Sequence, residues 1–100
     1  MKLIQKLKVK GVAYKIYVGE TPPMIDGFCY KYDKKIVISN LLEKDRVIYV
    51  LCHELAHAYI HECYLDQTLE RSQEETMCEI AATLVEEFGS FIAELKKKLK

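Results

Sequence analysis

The chain has no tryptophan, only four glycines and two prolines among 100 residues, and no net charge, with 15 Lys+Arg against 15 Asp+Glu. With so few breakers, no repeats and no low-complexity tract, one compact domain is expected and a multidomain enzyme is excluded. No apolar run approaches the roughly 18 to 20 residues that span a bilayer. Lys2 and Lys6 interrupt the opening Met1 to Lys6 before a signal-peptide core forms. An unanchored cytoplasmic protein is the expectation. No CxxC pair occurs: Cys29, Cys52, Cys63 and Cys78 are spaced 23, 11 and 15 apart. Neither a zinc ribbon nor a disulfide scaffold is indicated, and four reduced thiols are expected. A domain of this size buries about 60 to 65% of its surface, so a metal bound only by the folded state would add stability.

The balanced total hides a division. Residues 1 to 50 carry 10 basic and 5 acidic groups, and residues 51 to 100 carry 5 and 10, so the halves are +5 and −5. The basic half does not read as a nucleic-acid surface, because its lysines alternate with apolar residues (Leu7, Lys8, Val9, Lys10) as on the wet face of a sheet. Lys96, Lys97 and Lys98 read as a solvated helix end, where cations suit the dipole.

The spacing predicts strands over the first forty residues. Leu7 and Val9, then Tyr14, Ile16 and Val18, recur with period two around Lys10-Gly11, the pattern of a hairpin. Glu20 to Gly27, with Pro22-Pro23, is a loop by composition. A second hairpin is expected from Phe28 to Tyr32 and Ile36 to Ile38 around Asp33-Lys34-Lys35. At Asn40 the period changes. Asn40 and Glu43 have capping-box spacing, and Val47, Val50, Leu51, Leu55, Ala58 and Tyr59 follow at helical spacing, predicting one helix over about 42–61 within the segment 41–63. A link from Tyr64 to Arg71 leads to a second helix from about Ser72, striped by Met77, Ile80, Ala81, Leu84, Val85 and Phe88. Gly89-Ser90 is expected to end or kink it, with a helical tail to Leu99. The class is therefore α+β: a small antiparallel sheet over 1–40, a chemistry-bearing helix over 41–63, and an acidic helix with its tail over 72–99.

That chemistry is His53-Glu54-Leu55-Ala56-His57, an HExxH. Residues four apart lie on one helical face a turn apart, so His53 and His57 can grip one ion, for which zinc is the natural occupant. Glu54 stands one residue round the helix, where it can take a proton from a metal-bound water. With 3 His and 11 Glu in 100 residues, chance supplies such a motif in about one chain per hundred.

A site with one open position needs a third protein ligand. One helix cannot supply it from three successive turns, so His61, roughly 6 Å beyond His57 along the axis, is not expected to be that ligand. The third-histidine pattern of metzincins would need Gly at position 60 and His at 63, where Ile60 and Cys63 stand. Cys63 remains a thiolate candidate, and the second helix offers Glu74, Glu75 and Glu79.

The run Glu75-Thr76-Met77-Cys78-Glu79-Ile80-Ala81-Ala82-Thr83-Leu84-Val85 resembles the glutamate helix of gluzincin metallopeptidases, whose ExxxD pattern puts the zinc-binding glutamate first and a supporting acid four residues on. The resemblance implies Glu75 as the third ligand and Glu79, where the family has Asp, as the acid behind the first histidine. Ser72-Gln73-Glu74-Glu75 is also a capping-box sequence that would turn Glu75 back on the backbone. The ligand role is preferred, since the cap would leave two protein ligands; if Glu75 caps, Glu79 is next in line.

Strands, a capped HELAH helix and an acidic helix in this order also resemble the small ImmA/IrrE-type metallopeptidase-like proteins of phages and mobile elements. The resemblance implies zinc-dependent cleavage of a protein or peptide bound as an extended strand along the sheet edge, here Gly27 to Tyr32 or Ile36 to Ser39. The oxyanion donor such an enzyme needs is open among Tyr30, Tyr59, His61 and Tyr64. Two alternatives accompany the peptidase: a zinc-stabilised interaction protein that cleaves little, and a latent peptidase whose Cys63, Cys78 or C-terminal tail blocks the metal.

Overall fold

The computed structural model describes residues 1–99 and has the α+β class expected. The order is β1 (Lys2–Val9), β2 (Val12–Gly19), β3 (Gly27–Tyr30), β4 (Lys35–Ser39), α1 (Lys44–Glu62), a single 3₁₀ turn (Leu65–Gln67) and α2 (Arg71–Lys98). Both hairpins form. Lys10 and Gly11 take φ of 52° and 80°, the paired left-handed residues of the tight turn that matches strand twist.

The expected all-antiparallel sheet is corrected to a mixed one. The strand order is β1-β2-β4-β3, with β2 and β4 parallel and in register at Ile16↔Ile36 and Val18↔Ile38. The loop between the hairpins is the cause. Pro22-Pro23 keeps it out of the ladder, and it crosses the end of β4, where Ser39 N–H donates to Asp26 O (2.8 Å) and Asn40 N–H to Gly19 O (2.9 Å). The second hairpin thus docks by its second strand. Of the two edges proposed for substrate, Gly27 to Tyr30 lies on a free edge, whereas Ile36 to Ser39 is interior.

Those bonds also displace the first helix start. Asn40 does not cap, because its backbone is tied to Gly19; the N-cap position is Glu43, in extended conformation, and Val47 N–H closes the first turn on Glu43 O (3.0 Å). In α2, Gln73 accepts from the N–H of Glu70 (2.9 Å), so the cap lies one turn before Glu74 and Glu75 and uses neither. Gly89-Ser90 neither ends nor kinks α2. One mid-helix glycine costs about 1 kcal/mol, too little to break a helix of good formers.

One face of the sheet packs on α1. Tyr14, Ile16, Ile36 and Ile38 meet Val50 and Ala58 in the core, and Tyr14 and Ile36 are fully buried. Tyr14 Oη donates to Glu62 (2.5 Å), which also holds Lys34 (2.6 Å), anchoring the end of α1 to the sheet. Packing against α2 follows through Cys78 and Ala82, both buried. Among the described residues no helix is long and apolar enough to cross a membrane, and all four cysteines are free.

Gly27 sets how closely β3 approaches α1: a Cβ there would meet Val50 Cγ1 at 2.5 Å and Val37 O at 3.3 Å. Gly27→Ala is therefore expected to lose about 1 to 3 kcal/mol of unfolding free energy in urea titrations. Gly89→Ala, whose nearest neighbour would be Val85 Cγ1 at 4.0 Å, should gain up to about 1 kcal/mol.

Candidate metal centre

Two rows of α1 divide the labour. Val50, Glu54 and Ala58 recur every four residues and are buried, so Glu54 belongs to the row packed toward the sheet. His53, His57 and His61 form the neighbouring row, and the first two look into the cleft beside α2. The spacing that brings two imidazoles to one face thus puts Glu54 against β3, within reach of the Cys29 backbone amide.

Three carboxylates of α2 meet these rings. Glu75 spans both: its oxygens lie 3.3 Å from His53 Nε2 and 2.9 Å from His57 Nε2. Ligand atoms of His53, His57 and Glu75 all fall within 4.8 Å of one another. Ligands held about 2.0 to 2.2 Å from a tetrahedral zinc sit about 3.3 to 3.6 Å apart, close to the 3.3 and 2.9 Å that separate the Glu75 oxygens from the two rings, so two imidazoles and a carboxylate so placed suit such an ion. The opposite nitrogens are also engaged: Glu79 Oε1 lies 3.1 Å from His53 Nδ1, and Glu74 Oε2 lies 2.5 Å from His57 Nδ1. A carboxylate behind each imidazole fixes the orientation of the ring. Tyr49, one turn before His53, donates in turn to Glu79.

Glu75 thus faces the Nε2 atoms of both histidines and Glu79 the Nδ1 of His53, while Glu74, considered only as a ligand, lies at the Nδ1 of His57. Its signal was present: acids at 74, 75 and 79 cover the successive turns of α2 that two histidines four apart require. His61 is outside the cluster, with Nδ1 on Asp66 Oδ2 (2.7 Å). Cys63 ends α1 and does not join the group. Cys78 is buried against α1 and the C-terminal turns are exposed.

An open groove of about 640 Å³ runs over the cluster, between β3 and the start of α2. None of Tyr30, Tyr59, His61 and Tyr64 lines it; Lys31 and Arg71 do. Lys31 is paired to Asp66 at 3.2 Å. Burial raises the Cys29 thiol, which faces the groove, to about 12, with the Glu54 charge adding to the effect.

Comparison with family models, with curated proteins and with solved structures finds no match to this chain. What the centre can do has to follow from its donors and their placement.

Glu54 is only 8% exposed. Burial raises its carboxyl above the ordinary 4.5; His57 and His53 and the Cys29 amide pull the other way, and Glu75 adds to the rise. A carboxyl raised by folding holds its extra proton in the folded state, so its contribution to stability is present at low pH and is lost as pH rises through the raised value. The metal-free Glu54→Gln variant should therefore unfold at higher urea than the parent at pH 7, by roughly 1 kcal/mol, with the gap closing toward pH 4. An equal or lower midpoint at pH 7 would contradict this account of the buried carboxylate.

Proposed function

We propose that this chain is a zinc-dependent, gluzincin-like peptidase in which His53, His57 and Glu75 hold one zinc and Glu54 is the general base. The observation that carries the reading is the convergence of two Nε2 atoms of α1 and the Glu75 carboxylate of α2 on one point, with a separate acid behind each ring. A structural zinc site is usually closed by four protein ligands, whereas this group offers three and opens on a groove. When bound, the ion would supply Lewis acidity to a water and to the scissile carbonyl.

The chain's own residues would do the rest. Glu54, on the sheet side of the centre, takes the proton of the attacking water and returns it to the departing amine nitrogen. Glu79 and Glu74 keep His53 and His57 in their ligating orientation. The free edge of β3 offers unpaired backbone groups to an extended peptide, and Gly27, Phe28 and Cys29 bring that edge to the groove.

A second reading, a zinc-stabilised interaction protein with little turnover, has one observation in its favour: among the described residues no tyrosine lines the groove to stabilise an oxyanion. The two readings part at Glu54. Elemental analysis of purified protein is expected to find about one zinc per chain, lost in Glu75→Ala and retained in Glu54→Gln. On unstructured peptide libraries the wild type should cleave, and Glu54→Gln should be slower by about 10²- to 10⁴-fold. Cleavage undiminished in Glu54→Gln would overturn the mechanism; retained zinc with no cleavage by the wild type would favour the interaction protein.

A further inference from the structure

The groove over the candidate centre has two unlike ends. Gly27 lies against Val50 and Glu54, whereas Lys31 is paired to Asp66 (3.2 Å), and Asp66 in turn holds His61 Nδ1 (2.7 Å). β3 therefore runs along α1 in the same direction, with its start beside the turn of His53 and its end beyond His57. Arg71 opens α2 just before Glu74, the acid at His57 Nδ1, so it stands at the same end as Lys31. Met24 and Ile25 line the groove ahead of Gly27 and belong to the opposite end.

The charges at the His57 end are not equivalent. Lys31, Arg71, Asp66 and Glu74 all line it. Asp66 is shared by Lys31 and His61, and Glu74 is taken by His57. Arg71 is the cation left over: among the described residues it makes no ion pair and no side-chain hydrogen bond, although it faces the groove. The other end presents apolar surface. Ile25 is 37% exposed and Met24 fully so, on a turn closed by Ile25 N–H on Pro22 O (3.1 Å). Met24 takes φ of 69°, a left-handed conformation that a side chain adopts only at a cost.

We propose that the groove selects peptides that carry a carboxylate at the His57 end, held by the Arg71 guanidinium with Lys31 beside it, and an apolar side chain at the Met24 and Ile25 end. The planar fork of a guanidinium meets a carboxylate with two parallel hydrogen bonds. Because the neighbouring acids are already engaged, Arg71 takes an anion without giving up a partner. From Gly27 to Lys31 an extended chain covers about 13 Å, so the two groups stand about four residues apart in a peptide lying along β3. Two sources can supply the carboxylate: an acidic side chain, or the C-terminus of the peptide itself. The use made of the groove rests on the peptidase reading, but recognition can be measured without turnover.

Isothermal titration of the zinc-loaded Glu54→Gln protein tests this with short, end-blocked Ala/Ser peptides. Each carries Phe and, four positions away in either order, Glu or Gln. In one of the two orders the Glu peptide should bind at least about 5-fold more tightly than its Gln counterpart. A Gln peptide whose own unblocked C-terminus takes the place of the Glu separates the two sources, and a preference for either carboxylate supports the proposal. Replacing Phe by Ser should weaken binding at least about 3-fold. Adding Arg71→Gln should cut the Glu preference below about 2-fold, and adding Arg71→Glu should turn it into a preference for the Lys counterpart, a gain that misfolding cannot produce. Equal binding of the Glu, Gln and free-carboxylate peptides, no binding of any of them, a Glu preference that survives Arg71→Glu, or no cost for losing Phe would each overturn the proposal. Zinc content and cleavage by the wild type are read separately. A preference without cleavage keeps this inference and counts against the peptidase, and cleavage without a preference does the reverse.

Discussion

The contact on which the site depends is the grip of three α2 carboxylates on two α1 imidazoles. Glu75 reaches both Nε2 atoms, and Glu74 and Glu79 take the Nδ1 atoms behind them. Apart from this cluster, α2 meets the body chiefly through the small buried side chains of Cys78 and Ala82, which let the helices approach closely and contribute little area. Three acids crowded on two rings repel one another, and positive charge between them relieves that repulsion. The helix hairpin is thus held together by the same groups that form the candidate site, and binding of a cation there would be felt as stability of the whole domain.

The sheet completes the arrangement through one close approach. Gly27 lets β3 lie against Val50 and Glu54, which buries the Glu54 carboxyl on the sheet side of the centre while the histidines stay at the cleft. The parallel joining of β2 to β4 leaves β3 at the edge, beside the groove. A fully antiparallel meander of the same strands in chain order would have left β4, not β3, at that edge.

Much of this was legible because it is local. The period of four that places His53 and His57 on one face, the shift to Glu54 on the next row, and the acids of α2 need only helical geometry. The hairpins follow from Lys10-Gly11 and from Asp33 to Lys35 for the same reason. What was not legible depends on pairing between distant segments. Period two locates strands and leaves their order open; the uninterrupted Ile36-Val37-Ile38, buried on both faces, was the available sign that β4 is interior. The caps, rather than the helices, were misplaced, because Asn40 is tied to Gly19 and Gln73 serves Glu70, bonds that a cap motif read along the chain does not reveal. Glu74 was read as a possible ligand because helical spacing shows which acids share a flank and does not show which ring nitrogen each one meets.

The central claim is that two imidazoles and one carboxylate of this chain make a zinc site. X-ray absorption at the zinc edge, on the full chain loaded with one equivalent of zinc, tests it most directly. The account predicts a light-atom shell at about 2.0 to 2.1 Å with the multiple-scattering signature of two imidazoles, reduced to a poorly bound ion in Glu75→Ala. A shell of sulfur at about 2.3 Å, which would assign the metal to the cysteines, or an ion without imidazole scattering, would contradict it.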